Sequence, residues 1–234
     1  MKLFIIRHGD PDYEHDTLTE RGWAEARLLC DRLMKEQITK VYVSPLGRAQ
    51  ATAKPFLEAS GLTAETKDFL QEFPRPVFQR LGAFGKEDRL SCAWDLEPAL
   101  FMANQAQFSD AERWSEHPMY NEYGCAEGAR YVRAQLDALL DEVGLTREGI
   151  LYRENERFKS GQNIALFCHM GLGSLLLAHL SFMAPPLFWQ MFRFQPTSVS
   201  TVLFIPVGGG MRQSKIFSVG DTTHLAPIGL TYRG

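Results

Sequence analysis

Three short stretches of this 234-residue chain hold the residues best suited to chemistry: Arg7-His8-Gly9, Ser44-Pro45-Leu46-Gly47-Arg48 and Cys168-His169-Met170-Gly171. Each follows a short apolar run, Phe4-Ile5-Ile6, Val41-Tyr42-Val43 and Ala165-Leu166-Phe167, of the kind that forms a strand buried on both faces. In an open parallel sheet, ligands sit beyond the carboxyl ends of the strands, so two histidines and two arginines would share one rim. Two guanidinium forks match the non-bridging oxygens of a phosphoryl group. A neutral imidazole between them is a competent nucleophile near pH 7, and a phosphohistidine would split one hard displacement into two easier ones. The glycine beside each histidine admits close backbone approach, and helix amides starting near Gly171 would favour an anion. Expulsion of an alkoxide would still need a proton donor.

The elements that must position these residues can be read from periodicity. Lys2–Ile6 is a strand, and Thr19 can cap a helix over about residues 19–35 whose stripe is Trp23, Ala26, Cys30, Leu33 and Met34. Lys40–Val43 is a second strand, and Ala49, Thr52, Ala53, Phe56 and Leu57 mark the inward face of a second helix. After Ala129–Val143, a further helical stripe, residues 150–153 and 163–168 read as strands, 171–180 as a helix, and 199–205 and 215–219 as the last strands. Alternating strand and helix implies right-handed crossovers and an α/β three-layer sandwich, a mostly parallel sheet with helices on both faces. From about 73 to 126 the alternation stops in a stretch holding Pro74, Pro76, Pro98, Pro118, Trp94 and Trp114. It is too aromatic for a linker, so the expectation is one domain over 1–234 with an inserted cap of irregular helices and loops at 73–126.

Composition narrows the partners. With 25 Lys+Arg against 28 Asp+Glu and a net charge of −3, the chain lacks the basic footprint of a nucleic-acid binder. No apolar run approaches the ~20 residues of a membrane span, and the N-terminal run is too short for a signal sequence, so no membrane role and a cytoplasmic location are expected. The four cysteines, Cys30, Cys92, Cys125 and Cys168, show no paired spacing and imply neither zinc nor disulfides. Cys168 alternates with His169 and should point to the opposite face.

Taken in order, Arg7-His8-Gly9, Leu18-Thr19-x-x-Gly22, Ser44-Pro45-Leu46-x-Arg48-Ala49 and the late His169 resemble the histidine phosphatase (phosphoglycerate mutase-like) superfamily. The resemblance covers about 1–72 and 160–225, including Gly220-Asp221-Thr222-Thr223-His224-Leu225, and leaves the insert uncovered. It implies that His8 is the nucleophile, that Arg7, Arg48 and His169 hold the phosphoryl group, and that Glu72 in Leu70-Gln71-Glu72 is the acid. Asp10-Pro11 stands where many members carry Glu or Gln and then Ser or Thr, and Phe73-Pro74-Arg75-Pro76 replaces a glycine-rich run.

The reading that follows is a phosphoric monoester hydrolase acting on a small phosphorylated substrate, without cofactor or metal. A phosphoglycerate-type mutase would need further cations for a second anionic group, and residues 73–126 carry five Lys+Arg against eight Asp+Glu. A third reading is a non-catalytic module that binds a phospho-ligand or a protein through the aromatic insert. His15, His117 and His179 read as surface or packing residues, and His224 could approach the site or merely pack.

Overall fold

A computed structural model describes residues 1–230. The chain opens with β1 (Lys2–Arg7), a small ladder of β2 (Pro11–Asp12) with β3 (Thr17–Leu18), α1 (Glu20–Leu33), β4 (Lys40–Val43), α2 (Gly47–Ser60) and β5 (Ala64–Thr66). The middle holds β6 (Pro76–Gln79), β7 (Arg89–Cys92), α3 (Pro98–Ala103), α4 (Gln105–Phe108), α5 (Pro118–Asn121) and α6 (Cys125–Glu142). The remainder is β8 (Leu145–Glu148), β9 (Leu151–Glu154), β10 (Asn163–Cys168), α7 (Met170–Ser181), α8 (Pro185–Met191), β11 (Val199–Gly208) and β12 (Met211–Asp221).

Eight strands form one sheet in the order β5-β4-β10-β1-β11-β12-β9-β8. The β5-β4-β10-β1 half is parallel, and every pairing beyond β1 is antiparallel. Six of the eight strands therefore run in one direction, β11 and β9 being the exceptions. Alternation along the central strands explains why their apolar runs are unbroken. Leu3 and Ile5 of β1, with Ile164, Leu166 and Cys168 of β10, join the core that includes α6 and α7. Phe4 and Ile6, with Ala165 and Phe167, join the core formed with α1 and α2. Helices thus cover both faces, as a fully apolar strand demands. Burying each such large side chain contributes about 1.5–3 kcal/mol. Cys168 faces the α7 side, as its alternation with His169 implies.

Local signals explain most boundaries. The Thr19 hydroxyl accepts the Gly22 N–H at 3.1 Å and caps α1. Gly22 is required for another reason: a Cβ there would lie 2.2 Å from the Asp10 carbonyl oxygen. β8 escaped the periodicity reading, which found its partner β9 at 150–153, because β8 is an edge strand in which only Leu145 is fully buried. Within 73–126 the chain forms three helices of four to six residues and a β6–β7 ladder, the ladder alone lying outside the expected course of irregular helices and loops. Those helices are too short to show a 3.6-residue period. Their order comes from edge-to-face packing of Tyr120 on Phe108 and Trp114, at centroid distances of 5.3 and 5.0 Å.

Candidate active site

The register of the two central strands pairs Arg7 with Cys168, so the residues that follow, His8 and His169, emerge side by side. The His8 N–H donates to the Cys168 carbonyl at 3.0 Å, and the two imidazole centroids lie 5.1 Å apart. Both rings are buried, 2% and 1% exposed. The His8 Nδ1–H donates to the Gly9 carbonyl at 2.8 Å. A carbonyl only accepts, so Nδ1 carries the proton and Nε2 keeps its lone pair. Burial, reinforced by the Arg7 charge, pushes the His8 pKa down to about 3, which keeps the ring neutral. His169 is pushed down to about 2 by burial and by His8, Arg48 and Arg7. Its Nε2 lies 2.8 Å from the Ser44 hydroxyl at the end of β4, and the Ser44 N–H donates to Phe167 at 2.9 Å.

Both arginines reach the same rim. Arg7 is held by donation from Nη1 to the Phe194 carbonyl. Arg48 Nη1 donates to Asp16 Oδ1 at 2.7 Å, and its guanidinium lies 5.5 Å from the Tyr13 ring centroid. Three buried nitrogens, Arg7 Nε, Arg48 Nε and His169 Nδ1, have no partner among the described residues. Leaving a buried donor unsatisfied costs about 1–3 kcal/mol, so three together point to an acceptor-rich ligand. A cleft of ≈ 610 Å³ is lined by Arg7, His8, Arg48 and Glu72, with Trp94 and Met170 among its apolar walls.

Glu72 takes a position that corrects one expectation. The first-turn amides of α7, expected to hold a bound anion, hold this carboxylate: Oε1 accepts from Leu172 at 3.0 Å and Oε2 from Gly171 at 3.4 Å, while Oε1 also accepts the neighbouring Phe73 N–H at 2.9 Å. Burial pushes the Glu72 pKa up, while those three N–H donors and Arg7 pull it back. Trp94 closes over the same helix start, where a Cβ on Gly171 would lie 2.1 Å from its Cε3. Glycine here permits an aromatic wall against the helix backbone.

The structure thus gathers Arg7, His8, Arg48 and Glu72 around one cleft, with His169 packed beside His8. Sequence reasoning missed Asp16, Ser44, Tyr13, Arg75 and the Phe194–Ser198 segment. Ser44 stood within a quoted motif and was read only as a turn; Asp16 lies in a polar loop with no periodic signal. The remaining histidines have local partners: His15 pairs with Asp12 at 2.8 Å, the His117 ring accepts the Met119 N–H at 3.3 Å, and His179 bonds Asp137 at 2.9 Å. Among the described residues no three His, Cys, Asp or Glu side chains gather as metal ligands, and no helix is long and apolar enough to cross a membrane.

Comparison with known proteins bears on the first 90 residues by sequence and on nearly the whole chain by fold. Residues 3–90 match the model of the histidine phosphatase superfamily, branch 1. A probable phosphoglycerate mutase of Yersinia pestis is 32% identical over 88 residues, which span 34% of this chain and 41% of the relative. Among solved structures, a phosphoserine phosphatase variant from Entamoeba histolytica in complex with phosphoserine superposes with a TM-score of 0.60 at 19% identity, over 96% of this chain and 98% of that one. A mycobacterial glucosyl-3-phosphoglycerate phosphatase complexed with VO3 gives a TM-score of 0.57 at 18% identity, over 94% and 98%. Residues 3–90, which carry β1, β4 and β5, thus match the histidine phosphatase superfamily model by sequence, and nearly the whole chain shares the fold of these solved structures.

Proposed function

We propose that this protein is a phosphomonoesterase that hydrolyses a small phosphate ester through a phosphohistidine on His8. The observation that carries the reading is the tautomer of His8: with Nδ1–H held by the Gly9 carbonyl, Nε2 is left unprotonated on a side chain that lines the same cleft as two arginines and a carboxyl group. In the first step the Nε2 lone pair attacks phosphorus, the ester P–O bond breaks, and protonated Glu72 gives its proton to the leaving alkoxide. Arg7, Arg48 and His169 donate to the non-bridging oxygens, where charge must be held throughout. In the second step water attacks phosphorus, Glu72 takes its proton, and the P–N bond breaks to release inorganic phosphate and neutral His8. Residues 73–126 act as a cap whose Arg75, Pro76, Cys92 and Trp94 face the leaving group.

The solved neighbours named as phosphoserine and glucosyl-3-phosphoglycerate phosphatases support hydrolysis of a phosphorylated metabolite. One observation favours a mutase as the second reading: Arg75 adds a third guanidinium to the cleft and could receive a second anionic group. The test is a hydrolysis panel of sugar phosphates, nucleotides, phosphoserine, phosphoglycerates and phosphopeptides, with His8→Ala as the blank. Rapid quench with labelled substrate should trap acid-labile, base-stable label on the wild type alone. Label retained by His8→Ala would refute the assignment, and isomerised phosphoglycerate without phosphate release would favour the mutase.

A further inference from the structure

We infer that His224 is a positioning residue for His8, acting through Thr197, with Arg32 and Asp221 holding it in place; the inference rests on the phosphatase reading. The Phe194–Ser198 segment grips the first motif by its backbone. The Phe194 carbonyl accepts from Arg7 Nη1, the Ser198 carbonyl accepts the Arg7 N–H at 3.1 Å, and the Thr197 N–H donates to the His8 carbonyl at 3.1 Å. That last bond fixes the His8–Gly9 peptide, and the next carbonyl, Gly9, is the one that orients the His8 ring. Thr197 makes this contact from φ 55 while fully buried. A β-branched residue persists in the left-handed region only where its surroundings over-determine it.

The surroundings that do so form a chain of bonds with one polarity. The Thr197 hydroxyl donates to the Pro196 carbonyl at 2.8 Å and lies 3.1 Å from His224 Nε2. With the hydroxyl proton committed, Nε2–H must be the donor of the second bond. At the other side of the ring, Nδ1 lies 3.4 Å from Arg32 Nη1, and a guanidinium only donates. Both contacts require the same neutral tautomer, which burial beside Arg32 favours by holding the His224 pKa down to about 4. Arg32 in turn is fixed by Asp221, at 2.7 Å to Oδ2 and 3.1 Å to the carbonyl. The run therefore leads from α1 through the closing segment to the backbone of His8, and His224 itself does not line the catalytic cleft.

The test uses the full chain with nitrophenyl phosphate, together with hydrogen exchange at the Thr197 amide. His224→Phe keeps a ring without its hydrogen bonds, and His224→Gln restores a donor and an acceptor. His224→Phe should lower kcat by ~10–100-fold, the scale expected when a reacting group is slightly misplaced, with KM changed less than about threefold, and should speed Thr197 exchange. His224→Gln should recover most of both. Thr197→Val, which keeps the β-branch, should reproduce the loss, and adding it to His224→Phe should cost little more, because the two act in series. Unchanged kcat and unchanged Thr197 protection in folded His224→Phe would overturn the inference, as would equal losses in the Phe and Gln variants. If His224→Phe does not fold, Thr197→Val decides. If the wild type hydrolyses no ester, the phosphatase reading fails and the exchange measurement alone decides the positioning role.

Discussion

At the scale of single residues, the site depends on opposed environments for an imidazole and a carboxyl group. Burial pushes His8 down to about 3 and Glu72 upward, so the pH range in which a neutral imidazole coexists with a protonated carboxyl group, as the proposed mechanism requires, widens. Activity towards alkyl phosphates should therefore fall as pH rises through the raised Glu72 pKa, and Glu72→Gln should abolish that limb. The same variant should slow alkyl phosphate hydrolysis by ~10²–10⁴-fold and nitrophenyl phosphate hydrolysis far less, because a nitrophenolate departs without a proton. Equal slowing of both would reassign Glu72 to holding the start of α7. The depressed histidines also set a stability limb. Their folded pKa values lie near 3 and 2, below the ordinary value of about 6.5, so the unfolded chain binds more protons between those limits. Stability is then fully present above about pH 6.5 and is lost as pH falls towards 3. Urea midpoints measured across that window should decline, and His169→Gln should decline less steeply.

At the scale of elements, the close approach of α1 to the Asp10 loop connects helix capping to the backbone beside His8. Thr19 Oγ1 donates to Asp10 Oδ2 at 2.7 Å while accepting from Gly22, and the Gly9 N–H donates to Thr52 Oγ1 of α2 at 2.9 Å. The loop that orients His8 is thus held between the start of α1 and the second turn of α2. Gly22→Ala would place a methyl 2.2 Å from the Asp10 carbonyl oxygen, and overpacking of this kind costs about 1–3 kcal/mol. At about 2–4 °C per kcal/mol for a chain of this size, a melting-point loss of several degrees and a lower kcat are expected. Gly82→Ala, where a Cβ meets nothing within 4 Å, is the control; an equal effect there would discredit the steric account. These elements were legible because strand burial, the Thr19 cap and the strand-end histidines each leave a local trace. The hold of Glu72 on α7 was not, since residues 72 and 171 are joined only by the fold. Nor was the Arg48–Asp16 pair, whose acidic member sits at φ 46 in a loop.

At the scale of the whole molecule, the segment over 73–126 cannot be treated as a detachable lid. Its buried Phe108, Trp114 and Tyr120 belong to the same apolar core as β1, β10 and α7, and Trp114 meets Trp189 of α8 at 6.4 Å. Excising residues 78–118 would strip the main core as well as the cleft wall, so loss of activity would say nothing about substrate choice. A change at the wall itself is the sharper probe. Arg75 lines the cleft and has no ion-pair partner among the described residues, with its Cγ packed near Gly128 of α6. If this guanidinium receives a second anionic group, Arg75→Ala should lower kcat/KM for phosphoserine and phosphoglycerates by ~10–100-fold, the loss of one charged hydrogen bond of about 1.5–3 kcal/mol. Phosphate esters of uncharged alcohols should change less than about threefold. A mutase would lose its transfer activity altogether with the same change, since the second anion must be held while phosphate moves. Uniform loss across the panel would instead place Arg75 in general electrostatic attraction, and that outcome should then weaken with added salt for every substrate alike.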